Sequence, residues 1–395
     1  MSEGPIQIDR RRDFRLPRID ELRKRQEDAR ALPMVGRHLV IGGPGTGKSV
    51  VALLRARRCA EMRTPYVFLV YNRLLHRASG QLMPRLRMST WEHWFPRAFQ
   101  EVTRKECPKR EAAPGKSYQP IDWDGVNQLL ETHDPTPNPQ IVIIDEGQDM
   151  PPVFYRALIR LGFENFFVVA DQNQQIIDGK NSSRADIEDE LSIDSENVVE
   201  LLENFRNSHP TARLAREFYT GDPATPAPEL PPVARLSKVP LLYEYDDSRF
   251  AVLIRKILKF SDLNPNQLIG IIAPNNEVRE AYVKALGTIE VPLDYPRPVI
   301  QTYVSGSDAN LRFDEGGIMV INQQSCKGLE FDFVFIADIN RFLYNVSDPD
   351  DAKRRFYVMI ARAKGRVVLL KQSGRHCPIN PIIPTNSNIL ERHAP

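Results

Sequence analysis

Residues 38–49 read His-Leu-Val-Ile-Gly-Gly-Pro-Gly-Thr-Gly-Lys-Ser, a short apolar run entering a glycine-rich turn that closes on Gly47, Lys48 and Ser49. From Gly42 onward the pattern is G-x-x-x-x-G-K-S. Glycines at this spacing let consecutive backbone N–H groups turn inward around phosphate oxygens, so Gly42, Gly43, Pro44, Gly45, Thr46 and Gly47 form the expected cradle. Lys48 would reach the β- and γ-phosphates, and the Ser49 hydroxyl would ligate Mg2+. A helix starting at Ser49 would aim the positive end of its dipole at the same anions. The expected ligand is a nucleoside triphosphate, ATP, with Mg2+ as cofactor.

Binding alone does not hydrolyse. The run Ile141-Val-Ile-Ile-Asp-Glu-Gly-Gln-Asp149 supplies a pair of carboxylates at the end of a buried strand. Asp145 would hold Mg2+ through its water shell, and Glu146, one step further along, would orient or deprotonate the attacking water. An acidic strand end that caps a helix is the alternative; the four apolar residues before the pair favour the catalytic reading.

These residues need a frame. Apolar, β-rich runs recur at 39–41, 66–71, 141–144, 166–170 and 198–201, with helical or turn-rich segments between them. The alternation predicts an α/β domain with a parallel sheet covered on both faces. A proline-rich stretch at 221–235 reads as a linker, and the alternation restarts with strands at 241–245, 268–273, 318–321, 333–337 and 367–370. The expected organisation is one domain over 1–220, with a small polar insertion at about 96–138, and a second over 236–395.

The composition is that of a folded globular protein, with 42% hydrophobic and 26% charged residues among 395. No apolar run approaches the length of a membrane span, and the polar N-terminus is no secretory signal, so a cytoplasmic protein without a membrane partner is expected. Four scattered cysteines suit free thiols, and His376-Cys377 lacks the partners of a zinc site. Lys plus Arg, 53, barely exceeds Asp plus Glu, 51, so any nucleic-acid footprint must be local. Arg10, Arg11, Arg12, Arg15, Arg18 and Arg23-Lys24-Arg25 form the densest basic stretch. It reads as a solvated arm, with a phosphate track as the alternative.

Asp145-Glu-Gly-Gln-Asp149 resembles the D-E-x-Q-D box of superfamily 1 helicases of the UvrD/Rep/PcrA type, and further boxes follow in the family's order. Gln26 in Leu22-Arg-Lys-Arg-Gln26 is similar to the Q motif, which implies contact with the adenine edge. Phe68-Leu-Val-Tyr-Asn72 resembles the strand-binding box after the second strand, and Ser89-Thr-Trp-Glu-His-Trp-Phe95 is similar to the T-x-H-S-F box that follows it. Ala170-Asp-Gln-Asn-Gln174 resembles G-D-x-x-Q, with Gln174 as the implied γ-phosphate sensor. In Leu202-Glu-Asn-Phe-Arg206 the resemblance makes Phe205 the adenine stack and Arg206 a γ-phosphate contact. Cys326-Lys-Gly-Leu-Glu-Phe-Asp332 implies that Glu330 binds ribose, and Arg354 to Lys364 implies that Arg362 is an arginine finger. The implied fold is two tandem RecA-like P-loop NTPase domains with ATP in the cleft between them. The implied activity is that of an ATP-dependent DNA helicase or translocase.

The chain departs from the family in three places. It has no room for two large accessory inserts, one cut to 96–138 and the other absent from 250–319. The box at Gln174 continues Gln-Ile-Ile-Asp-Gly179, without the usual stacking aromatics, a role that Trp91, Trp94 or Tyr71 would fill unless they are core. Asn322 and Gln324 stand where Thr and His are frequent. Single-stranded or tailed DNA is the expected partner, with RNA open. A nucleic-acid sensor or regulatory subunit beside a nuclease, as in anti-phage defence systems, is the alternative function.

Overall fold

The computed structural model describes residues 9–112, 118–171, 181–220, 227–234, 238–304, 310–344, 348 and 350–393. The chain divides into two compact units, one formed by Leu16–Leu202 and the other by Met1–Arg15 together with Glu203–Pro395.

The first unit contains, in chain order, α1 (Lys24–Ala31), β1 (Arg37–Gly42), α2 (Lys48–Glu61), β2 (Tyr66–Val70), α3 (Arg73–Leu82), β3 (Met88–Thr90), α4 (Trp91–Thr103), α5 (Trp123–Glu131), β4 (Asn138–Ile144), α6 (Pro152–Arg160), β5 (Phe163–Ala170), α7 (Arg184–Leu191) and β6 (Val198–Leu201). The strands pair in the order β3-β2-β4-β5-β1-β6, all parallel. Their apolar runs are continuous because both faces are buried, by Val51, Ala52 and Leu53 of α2 on one side and by Phe95, Phe99, Phe154 and Ile187 on the other. In a parallel sheet every strand ends on the same edge. The P-loop after β1, Asp145 after β4 and Asp171 after β5 therefore come together by topology, as ligand sites do in open α/β sheets.

The stretch expected as an insertion from 96 begins inside α4, which runs through Pro96. Phe95, Ala98, Phe99, Val126 and Leu130 pack into the core of the unit, and so do Cys107 and Ile121. Trp91 belongs to this core as well, stacked on Trp123 with ring centroids 6.3 Å apart, while Tyr71 and Trp94 are partly buried against it.

The second unit contains α8 (His209–Glu217), β7 (Leu241–Tyr245), α9 (Phe250–Asp262), β8 (Leu268–Ala273), α10 (Asn276–Thr288), β9 (Ile300–Thr302), β10 (Gly317–Asn322), β11 (Phe333–Ile336), α11 (Asp351–Ile360), β12 (Val367–Gln372) and β13 (Glu391–His393). Its seven strands, again parallel, lie in the order β13-β7-β12-β11-β8-β10-β9. Helices α9 and α10 pack Leu253, Ile257, Val278 and Tyr282 on one face. Phe218, at the end of α8, stacks on Phe356 of α11 with centroids 5.5 Å apart.

The units divide at Leu202/Glu203, ahead of the proline-rich stretch. Hydrogen bonds explain why 203–220 belongs to the second unit: Asn207 Nδ2 donates to the Ala361 and Ala363 carbonyls, and Ser208 and Thr211 donate to that of Gly365. The basic N-terminus is not a uniformly solvated arm. Arg12 has a side chain only 3% exposed and paired with Asp332, whereas the Arg11 side chain is 83% exposed. All four cysteines are free and buried. Among the described residues, no helix is long and apolar enough to cross a membrane.

Candidate nucleotide site

On the first unit, the turn after β1 puts Gly45 at φ 80° and Gly47 at φ 89°, left-handed conformations that a side chain would strain. Lys48 opens α2, as the dipole argument requires. Its Nζ is buried, donating to the Gly43 carbonyl at 2.7 Å and to Asp171 Oδ2 at 3.3 Å. Thr46 Oγ1 also donates to the Gly43 carbonyl, at 2.9 Å.

The carboxylate pair lies where β4 predicts. Asp145 still belongs to the sheet through its N–H to the Leu69 carbonyl, and Ser49 Oγ donates to Asp145 Oδ1 at 3.2 Å. Asp145 Oδ2 is buried without a hydrogen-bond partner. Burial first, and then the neighbouring Glu146 carboxylate, push the Asp145 carboxyl up to about 7. A hydroxyl beside an orphaned anionic oxygen is a donor set that fits one hard divalent cation such as Mg2+, completed by water and phosphate oxygens. Such a cation would supply charge neutralisation at the phosphates, and by displacing the proton it would return Asp145 to its ionised form.

Glu146 is held at φ 57°, in the left-handed region, and is 7% exposed. Its neighbour cannot relieve this turn, because a Cβ on Gly147 would meet the Val168 side chain and the Tyr155 hydroxyl, which donates to the Gly147 carbonyl at 2.7 Å. A non-glycine residue kept in such a conformation costs of order 1–3 kcal/mol, and such strain clusters where a side chain must be aimed. Gln148 completes the arrangement: its Nε2 donates to Glu146 Oε2 at 2.6 Å, while its Oε1 accepts the Asp171 N–H at 2.8 Å. Sequence reasoning named no role for Gln148 or Asp171. Both lie inside boxes quoted for the family resemblance, and that position was the available signal.

On the second unit, the structure brings Arg206 and Glu330 together. Arg206 Nε donates to Glu330 Oε1 at 2.8 Å, with a second bond from the other end of the guanidinium. Burial alone would raise the Glu330 carboxyl; the Arg206 guanidinium, helped by Lys364, outweighs it and holds the group at about 2. Arg362 is 1% exposed and donates from Nε to the Val358 carbonyl at 3.0 Å, while its own carbonyl accepts the Phe331 N–H.

Two family models match. The AAA domain matches residues 27–180, and the UvrD-like helicase C-terminal domain matches residues 317–370. These two matches support a UvrD-like superfamily 1 helicase. Among solved structures it is similar to the C-terminal domain of a possible DNA helicase from Lactobacillus plantarum WCFS1, at 18% identity over 47% of this chain and 97% of that one, with a TM-score of 0.34. It is also similar to the PRRSV helicase, at 10% identity over 87% of this chain and 54% of that one, with a TM-score of 0.37. No curated protein matches.

The remaining expected residues fall as follows. Gln26, in α1, donates from Nε2 to the Thr46 carbonyl at 2.9 Å, so its amide lies against the P-loop backbone. Phe205 is 44% exposed. Gln174 lies outside the described residues. Along the edge strand β3, between α3 and α4, a cleft of about 770 Å³ is lined by Arg73, His76, Arg87, Thr90, His93 and Arg97, among others. Among the described residues no carboxylate lines it, and none pairs with these three arginines.

Proposed function

We propose that this chain is an ATPase that moves on or remodels single-stranded nucleic acid. The observation that carries this reading is the joining of Lys48, Ser49, Asp145 and Glu146 at one sheet edge, with Ser49 Oγ 3.2 Å from Asp145 Oδ1. Lys48 leaves Gly43 and Asp171 for the β- and γ-phosphates, Asp145 and Ser49 hold Mg2+, and Glu146, aimed by its turn and by Gln148, takes the proton of the attacking water. Gln26 and Phe205 take the adenine and Glu330 the ribose. Gln174, Arg206 and Arg362 stabilise the charge developing on the γ-phosphoryl group. An Arg206 that moves to phosphate gives up its bonds to Glu330 Oε1, which ties nucleotide occupancy to the position of the arginine.

The cleft beside β3 supports a nucleic-acid partner, DNA first and RNA second, because three arginines without carboxylate partners and two histidines favour a phosphate backbone. ATP turnover by the purified chain, measured at low salt with and without single-stranded DNA and RNA, tests the proposal. Stimulation by one of them is expected, and equal rates in all conditions would remove it. A second reading, a sensor or regulatory subunit beside a nuclease in the cytoplasm, is favoured by one observation: from α9 to β10 the described chain supplies only core strands, helices and their connections, without an accessory domain. Nucleic-acid-stimulated turnover that never displaces a strand from a tailed duplex supports this second reading.

A further inference from the structure

The N-terminal residues that sequence left between solvated arm and phosphate track do something else. Arg11 forms an antiparallel bridge with Glu315, the Arg12 N–H donates to the Asp314 carbonyl at 2.9 Å, and Gly316 donates back to Arg10 at 2.7 Å. The Phe14 ring stacks on Phe313 with centroids 6.4 Å apart. The Arg12 guanidinium then turns inward: Nε donates to Asp332 Oδ2 at 2.9 Å and one terminal nitrogen to the Phe313 carbonyl at 2.6 Å.

Asp332 is a junction. The same Oδ2 accepts the Leu268 N–H at 2.8 Å, and the Asp332 N–H donates to the Leu268 carbonyl, so the carboxylate clamps its own backbone onto the start of β8. One residue earlier, Phe331 lays its ring over Gly270, where a Cβ would stand 2.6 Å from the ring. Its backbone bonds the Arg362 carbonyl and the Lys364 N–H at 3.0 and 2.8 Å. Glu330, paired with Arg206, is the next residue back. Fixing 331–332 therefore fixes both Glu330 and the turn that carries Arg362.

We propose that Arg12 is a positioning residue for nucleotide turnover, acting through Asp332, and that residues 9–14 are a structural strap of the second unit. The strap stands on the contacts above; its effect on turnover rests on the proposed ATPase. Two measurements on the full chain separate them. Limited trypsin digestion compares wild type with Asp332→Asn, which keeps the shape of the clamp and removes its charge. Cleavage after Arg10, Arg11 and Arg12 is expected to accelerate at least about tenfold when the strap is released, and wild-type protein cut as fast as the variant overturns the strap. Hydrogen exchange and steady-state turnover then compare Arg12→Gln with Arg12→Lys. The glutamine variant is expected to speed amide exchange at 329–332 and to lower kcat about tenfold, more than it changes KM for ATP. The lysine, which can still pair with Asp332, restores most of the rate. Faster exchange with unchanged kcat overturns the positioning role, as does a lysine variant as slow as the glutamine. If the wild-type chain hydrolyses no ATP, the ATPase reading and the turnover role fall together, while digestion still decides the strap.

Discussion

The two units meet the same difficulty, holding charged groups in a fixed geometry, in different ways. The first unit does it mainly with backbone, alongside the buried Lys48–Asp171 pair: left-handed turns at Gly45, Gly47 and Glu146, a carbonyl beneath Lys48, and an Asp145 whose carboxyl burial pushes up to about 7. The second does it with ion pairs, Arg206 on Glu330 and Arg12 on Asp332. Backbone holds a geometry whatever the ionic state, but it leaves a buried acid that titrates where proteins work. An ion pair instead holds its carboxyl low, as Arg206 does for Glu330 at about 2, far from where proteins work.

The largest effect expected from this contrast is in the first unit. Lys48→Ala should abolish ATP turnover, by about 10³-fold or more, together with much of the binding seen by a fluorescent ATP analogue. Arg362→Ala should slow single-turnover hydrolysis by about 10³-fold, the low end for an arginine finger, while leaving analogue affinity within a few-fold. Equal loss of binding in both variants would erase the distinction between the units.

A smaller effect concerns stability. The Asp145 carboxyl titrates higher in the folded chain than in the unfolded one, so the folded state binds the extra proton between those values. Stability is then greatest below the unfolded value and declines as pH rises through about 7. Asp145→Asn should stabilise the metal-free, nucleotide-free protein at pH 8 by on the order of 2 kcal/mol, with the gap narrowing at pH 5 and closing only below the unfolded value, in thermal melts. Removal of the same proton governs Mg2+: apparent affinity, measured by calorimetry, should fall about tenfold per pH unit below 7. The Arg206–Glu330 pair, held at about 2, should add no pH dependence across that range. The smallest change expected is at the β3 cleft, where Arg87→Ala should weaken single-stranded DNA binding by only a few-fold and lower the salt slope by about 1.

Much of this was legible in the sequence. All ten strands read from apolar runs are present, most within a residue or two, because buried parallel strands leave continuous hydrophobic signals. The strands that escaped, β3, β9 and β13, have three residues each and include Ser89-Thr90 and the exposed Glu391–His393, so they carry no pattern. The P-loop and the acidic pair announce themselves because their chemistry is local. Gln148 joining Glu146 to Asp171, and Asp171 meeting Lys48, are products of strand order, which brings β1, β4 and β5 together from separated positions. Arg12 was the hardest case. It sits in a run of arginines whose neighbours are solvated, and its partner lies 320 residues away.

That separation also bears on how the protein is made. The first unit is one continuous stretch, Leu16–Leu202, and every partner it needs has emerged from the ribosome before the second half is translated. The second unit joins residues that precede the first unit to residues that follow it. At ordinary elongation rates the arginine-rich strap waits on the order of tens of seconds for Asp332 to be synthesised, exposed throughout to nucleic acid and to proteases. Folding of the second unit is thereby postponed until Asp332 has emerged, so a chain truncated before β11 would hold a finished phosphate site and a strap with nothing to fasten.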